Sequence, residues 1–166
     1  MATIFRAHLQ PSDPGGIESL VRETGFFSAE EIGIARELAD DGLAQGRSSH
    51  YRFVLADKDG SLAGFACSGP VPCTQAAWDL YWIAVAPRAQ GQHLGRELLQ
   101  RVESAILAAG GTHIYVDTSS RQQYSPTREF YARRGYQEAA DFPDFYAPGD
   151  GKIVYTKVLA AREAQG

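Results

Sequence analysis

Between Trp78 and Gly95 the residue types change in an order that can do chemistry. An aromatic and apolar run, Trp78-Asp-Leu-Tyr-Trp-Ile-Ala-Val-Ala-Pro87, passes directly into Arg88-Ala-Gln-Gly-Gln-His-Leu-Gly95. The first part reads as a strand stopped by proline, and the second as a glycine-containing loop opening an amphipathic helix. That succession turns the loop N–H groups and the helix N-terminus toward one point, an arrangement that suits phosphate. The loop has neither the Gly-Lys-Ser/Thr of a nucleoside-triphosphate loop nor the G-x-G-x-x-G of a dinucleotide fold. An ordinary strand–turn–helix, with Gly91 and Gly95 easing close packing, accounts for the same residues. Arg88 and Arg96 flank the loop as candidate phosphate partners, with Arg128 a weaker one.

The elements that must position this stretch follow from pattern. Thr3–Leu9 reads as a strand. Asp13-Pro14 looks like an N-cap followed by proline at the first helical position, opening a helix that ends near Gly25. Ser28 and Glu31 have capping-box spacing, and Ile32, Ala35, Leu38 and Ala39 follow at helical intervals. Strands are expected at Tyr51–Ala56 and Leu62–Ser68 around the turn Asp57-Lys-Asp-Gly60, and at Trp78–Ala86. A long helix begins near His93 with Leu94, Leu98, Val102, Ala105, Ile106 and Ala109 as its apolar stripe, and Gly110-Gly111 stop it. A strand at Thr112–Thr118, a helix from Ser125-Pro126 to Arg133-Arg134-Gly135, and strands at Tyr136–Ala140 and Lys152–Leu159 complete the chain. Gln137–Asp150 otherwise reads as a loop rich in Pro, Gly and Asp. Helices alternate with strands only in part, so a mixed sheet flanked by helices is expected.

Composition narrows the function classes. The chain has 166 residues and a net charge of −4, which fits one domain and disfavours non-specific nucleic-acid binding. Residues 86–134, however, hold seven basic and four acidic groups, a local excess suited to an anionic ligand. Cys67 and Cys73 form no metal-ligand spacing and His8, His50, His93 and His113 are scattered, so neither a disulfide framework nor a metal is expected. No apolar run approaches the ~20 residues of a membrane span. Met1–His8 lacks the basic and apolar pattern of a signal peptide, and a cytoplasmic protein is expected.

With these residues in view, the chain resembles the GNAT superfamily of N-acetyltransferases over nearly its whole length. The family's acetyl-CoA loop, Q/R-x-x-G-x-G/A after a strand ending in V-x-P, is matched by Gln90-Gly-Gln-His-Leu-Gly95 after Val85-Ala-Pro87. Its F/L-Y-x-x-x-G-F/Y helix end is matched by Phe130-Tyr131-Ala-Arg-Arg-Gly-Tyr136. The resemblance implies a single domain over 1–166, an α/β (α+β) fold with a mixed sheet of about six to seven strands and about four helices. It implies acetyl-CoA as acyl donor and no metal. The implied cofactor-binding residues are Ile83, Ala84, Val85, Gln90, Gly91, Gln92, His93, Leu94, Gly95, Arg96 and Tyr124. Two positions depart from the family. His93 stands where a central glycine is usual, and Tyr124 where many members carry Asn.

Acetyl transfer to an amine needs a base for the ammonium, donors for the tetrahedral oxyanion and an acid for the thiolate. The resemblance gives the acid role to Tyr131; a tyrosine on the helix's buried stripe is the plainer reading. Counting back from Val85, Asp79 occupies the strand position where several protein-acetylating members of the family place a glutamate, so the resemblance implies it as the base, with Asp117 or a water relay as alternatives. Alternation along the strand would put Asp79 on one face with Tyr81, Ile83 and Val85. N–H groups around Ile83–Val85 would receive the oxyanion. In Gln137–Asp150, Glu138, Asp141, Asp144 and Asp150 alternate with Phe142, Phe145 and Tyr146 and no basic residue, a wall suited to a cationic amine. A solvated loop with its aromatics turned into the core is the alternative. The expected function is acetyl-CoA-dependent acetylation of a primary amine of a small molecule or amino-acid-like compound. A protein N-terminal or lysine acetyltransferase and a non-catalytic acetyl-CoA sensor are the alternatives. The acceptor is the expected partner, and a homodimer is left open.

Overall fold

Over residues 2–159, which a computed structural model describes, the strand and helix signals become seven strands and four helices. In chain order they are β1 (Ile4–Arg6), α1 (Asp13–Glu23), α2 (Ala29–Gln45), β2 (Arg52–Lys58), β3 (Ser61–Pro70) and β4 (Ala77–Val85). There follow α3 (Leu94–Ala108), β5 (His113–Ser119), α4 (Ser125–Arg133), β6 (Gln137–Ala147) and β7 (Asp150–Val158). The sheet order is β1-β2-β3-β4-β5-β7-β6. The pair β4–β5 is parallel, while β1–β2, β2–β3, β5–β7 and β7–β6 are antiparallel. The sheet is therefore mixed, as the partial alternation of elements requires.

Two compact units make up the chain, Met1–Gly69 with Tyr81–Ala105, and Pro70–Leu80 with Ile106–Gly166. In the first, α1 and α2 bury Ile17, Leu20, Val21, Ile32, Ala35 and Ala39 against Phe53, Leu55, Phe65, Cys67, Ala84 and Ala86. A second cluster joins Leu94 and Leu98 of α3 to Ala56, Ala63, Ile83 and Val85. In the second unit, Ile114, Val116, Tyr131, Tyr136, Ile153 and Tyr155 are buried.

The capping box forms as expected. Ser28 Oγ accepts from Glu31 N at 3.2 Å, and Ser28 N donates to Glu31 Oε1 at 3.0 Å. Three expectations need correction. Asp13 is not the N-cap of α1, a place held by Ser12; its carboxylate is drawn to Arg6 and to the Gln10 N–H instead. The stripe of α3 buries Leu94, Leu98, Leu99, Val102 and Ile106, whereas Ala105 and Ala109 are exposed. Gln137–Asp150 is not a loop: β6 runs to Ala147 and turns tightly into β7. It is an edge strand with register shifts between Glu138 and Ala140 and between Phe142 and Ala147. An edge strand tolerates proline and lacks the clean alternation of a half-buried strand, so its signal is weak.

Arg6 ties β1, α1 and β2 together. Its guanidinium donates to both oxygens of Asp13 at 2.6 Å and to Asp57 Oδ2 at 2.7 Å. These bonds, Asp13 first, push the Arg6 pKa up. The Asp13 side chain is only 3% exposed, so removing Arg6 strands a buried charge. By contrast, Glu18 and Arg36 link α1 to α2 at the exposed surface. Arg6→Ala is expected to lower unfolding free energy by ~3 kcal/mol, and Arg36→Ala by much less because its pair is solvent-screened, as measured by urea denaturation. Equal losses would show that the two pairs are not distinguished by burial.

Candidate active site

The loop after β4 is built from backbone conformations that expose its amides. Pro87–Ala89 make one 3-10 turn, then Gly91 (φ 77°) and His93 (φ 62°) adopt left-handed conformations before α3 begins at Leu94. Histidine, like Asn and Asp, is among the non-glycine residues found at positive φ. The departure from the family's central glycine is thus accommodated with the backbone still in the left-handed region. A Cβ added at Gly91 would meet nothing within 4 Å, so Gly91 is selected by torsion and by open space for an incoming group. The N–H groups of the first turn of α3 have no partner within the helix and carry the positive end of its dipole.

Side chains around this loop are partly committed. Gln90 Nε2 donates to Val85 O at 3.3 Å, clamping the loop to the strand end. Lys58 Nζ donates to Gln92 Oε1, which brings to the loop a cation that no motif marks. Arg88 donates to Ser61 Oγ at 2.8 Å and to Leu62 O at 3.0 Å; it braces the β2–β3 turn. Arg128 donates to Ser119 O at 2.7 Å and Arg121 O at 2.9 Å and braces the start of α4. Both are thereby tied to the fold through one guanidinium nitrogen each. Arg96, exposed in the first turn of α3, is the arginine placed for one.

The strand β4 changes phase. Trp78 lies beside Ile106 of α3, where both approach Gly111. Ile83 and Val85 pack with Leu94 and Leu98 of α3. Between Trp78 and Ile83, Tyr81 and Trp82 both face the α1–α2 side. Trp82 packs on that cluster and on Phe27, with ring centroids 4.8 Å apart. Tyr81 lies 5.7 Å from the ring of Tyr51, which packs on the same cluster. Two successive side chains on one face are what a β-bulge produces. Tyr81 is therefore not on the face of Ile83 and Val85, contrary to simple alternation. Beyond the phase change, Ala86 N donates to Ala63 O at 2.8 Å in β3. Alternation then turns the Ile83 and Val85 N–H groups to the opposite edge of β4, and Ala84 toward β3.

The second unit holds the remaining candidates. Asp79 lies in the stretch of β4 that pairs with β5, Ala77–Asp79 against His113–Tyr115. Asp117, half-exposed on β5, is ion-paired to Lys152 of β7 at 3.5 Å. Tyr124 precedes α4, with the Arg121 guanidinium 6.0 Å from its ring. Tyr131 is 3% exposed and sits 5.5 Å from Tyr136 and 6.2 Å from Tyr155 by ring centroids. Burial pushes its hydroxyl pKa up, so it holds its proton through the neutral range.

Phe142, Phe145 and Tyr146 of β6 are about half exposed; they do not plug the core. Lys152 Nζ lies 4.5 Å from the Phe145 ring centroid and 5.9 Å from that of Phe142, a cation the expected wall lacked. Elsewhere, a cavity of about 700 Å³ opens over Arg6, Asp13 and Asp57, but those charges already satisfy one another. Among the described residues no cluster of His, Cys, Asp or Glu could hold a metal, and no helix is long and apolar enough to cross a membrane.

His93→Gly removes both the imidazole and the left-handed cost of roughly 1–2 kcal/mol, so the variant is expected to be at least as stable as the wild type in thermal unfolding. Gly91→Val introduces that cost and is expected to lower stability. A destabilised His93→Gly would show that the imidazole makes contacts outweighing its backbone cost.

The sequence profile of the Acetyltransferase (GNAT) family matches residues 18–136. A crystal structure of a GNAT-family protein from Desulfovibrio desulfuricans is 43% identical, with a TM-score of 0.93 over 96% of this chain and 100% of that one. An aminoglycoside 6′-N-acetyltransferase complexed with coenzyme A is 19% identical, with a TM-score of 0.75 over 98% of this chain and 99% of that one. The ribosomal-protein-S18-alanine N-acetyltransferase of Escherichia coli is likewise 19% identical, with a TM-score of 0.76 over 99% of each chain. The last two share the fold with this chain at nearly equal similarity, although their names specify different acceptors.

Proposed function

The chain belongs to the acetyltransferase (GNAT) family and is an acyltransferase whose acyl donor is acetyl-CoA, and from that premise we propose that it acetylates the primary amine of a small molecule or amino-acid-like compound. In this reading residues 1–166 act as one cytoplasmic acetyltransferase domain. The observation that carries the reading is the run from β4 through the left-handed Gly91 and His93 to the first turn of α3. Its converging N–H groups suit the pyrophosphate of CoA, and the charges of Arg96 and Lys58 lie at the same end of the strand.

When bound, acetyl-CoA supplies a thioester carbonyl open to attack by an amine. The chain's own groups would then do four things. Residues Gln90–Gly95 hold the phosphates through backbone N–H groups, with Gln92 and His93 adding side-chain donors. The Ile83 and Val85 N–H groups, turned away from β3, donate to the developing oxyanion. Asp79 receives the acceptor's ammonium and takes up its proton directly or through water; Asp117, ion-paired to Lys152, and a water relay are the alternatives. Tyr131 keeps its proton at working pH and donates a hydrogen bond to the leaving sulfur. Its raised pKa lies above that of an ordinary thiol at about 8.5, so hydrogen bonding rather than complete proton transfer is its contribution. Tyr124 would meet the CoA chain beside α4.

Acetyl-CoA at about 100 times its dissociation constant is expected to raise stability by roughly 2.7 kcal/mol, read as a thermal shift. Thiol release is expected with small amines in preference to peptides. Tyr131→Phe should lower kcat by about 10²-fold or more with no change in acetyl-CoA binding, and Asp79→Asn should lower kcat/KM for the amine at least about tenfold. Binding without thiol release from any amine would favour a sensor, and a preference for peptides would favour a protein acetyltransferase.

A further inference from the structure

The geometry points to a proton route from the acceptor amine through Tyr81 to His50, a pair that the family motifs do not contain; the inference rests on the acetyltransferase reading above. His50 Nε2 and the Tyr81 hydroxyl are 2.9 Å apart. Tyr81 is 38% exposed, so the pair lies at the protein surface and not in the core. It stands two residues before Ile83, roughly 7 Å along the strand at about 3.3 Å per residue. The phase change in β4 is what turns Tyr81 to this side of the sheet.

The backbone makes room for the pair. A Cβ at Gly69 would lie 2.8 Å from His50 Nε2 and 3.0 Å from its Cδ2. Any side chain there would push the imidazole off Tyr81. Tyr51 closes the other side, its ring 5.2 Å from His50 and 5.7 Å from Tyr81. Tyr51 and Tyr81 are ionisable groups whose rings lie against His50. Behind Tyr51 lie Asp41 of α2 and Cys67 of β3, both of which act with burial to raise its pKa. Arg52 donates to the carbonyls of Ser49 and Tyr51.

The chemistry favours this pair over a carboxylate acting alone. Imidazole is a stronger base than carboxylate, so taking a proton from an ammonium costs it less. With neutral His50, the Tyr81 O–H donates to Nε2. The ammonium gives a proton to the Tyr81 oxygen as the Tyr81 proton passes to Nε2, leaving a neutral amine and an imidazolium. The amine nitrogen then bonds to the acyl carbon, the carbon–sulfur bond breaks, and the second nitrogen proton leaves with the thiol. His50 returns its proton to solvent. Products are the amide, free thiol and one proton. On this route Asp79 does not take up the proton, as it does in the reading above, but holds the ammonium's charge, and His50 acts through Tyr81.

Steady-state thiol release with acetyl-CoA and the best small amine tests the route. Wild type is compared with His50→Gln, Tyr81→Phe, the double variant and His50→Ala with added imidazole. Each single variant is expected to lower kcat by at least tenfold while leaving KM for acetyl-CoA within twofold. His50→Gln should also erase the acidic limb of the kcat/KM profile, and the double variant should be no more than threefold worse than the worse single. Imidazole should restore His50→Ala at least fivefold. Two results would overturn the route: kcat within threefold of wild type with the acidic limb unchanged, or a loss that imidazole does not restore while the limb persists. Wild-type protein that binds acetyl-CoA yet releases no thiol would instead overturn the acetyltransferase reading itself.

Discussion

A backbone can hold an anion only with N–H groups that are paired to nothing else, and a folded chain rarely leaves such groups in one place. In this protein the constraint is met where β4 ends. Pro87 stops the strand without a donor, one 3-10 turn reverses the chain, and left-handed torsions at Gly91 and His93 set the amides before α3. The hydrophobic contacts of Ile83 and Val85 with Leu94 and Leu98 fix the strand and helix on either side. Without that packing the loop would have no reason to hold strained torsions, and the helix dipole would have no fixed aim.

Charge follows the same logic of commitment. Arg88 and Arg128 look alike in sequence to Arg96, but carbonyl acceptors hold them to the fold. Arg6 is held harder still, between two carboxylates. At the loop itself stand Arg96, exposed in the first turn of α3, and Lys58, bonded to the Gln92 side chain. The two tyrosines assigned chemical roles also differ by environment. Tyr131 is enclosed among aromatic rings and resists ionisation, as a hydrogen-bond donor should. Tyr81 is open and joined to an imidazole, as a proton carrier should be.

Much of this was legible in the residues. The loop motif, the Ser28 capping box, the bounds of α4 and the mixed sheet all rest on local signals, and local geometry delivers them. What sequence could not convey was set at a distance. The phase change at Tyr81 depends on which helix each side chain meets, so period-two counting placed Tyr81 with Ile83 and Val85. His50 looked like one scattered histidine because its partner is 31 residues away, across a glycine whose purpose is spatial. Lys58 lies 34 residues from Gln92 and carries no motif. The strand β6 was hidden by Pro143 and by exposed aromatics and acids, which in an interior strand would argue against pairing but are admissible at a sheet edge.

That edge has a consequence for how the protein behaves in a crowded solution. An outermost strand displaying Phe142, Phe145 and Tyr146 would ordinarily invite another chain to extend the sheet. Here Pro143 withholds a backbone donor, the register slips beside it, and Asp141 and Asp144 place negative charge along the rim, devices that natural sheets use against edge-to-edge association. The aromatic surface can therefore vary with the demands of a ligand while the backbone beneath it remains a poor template for aggregation.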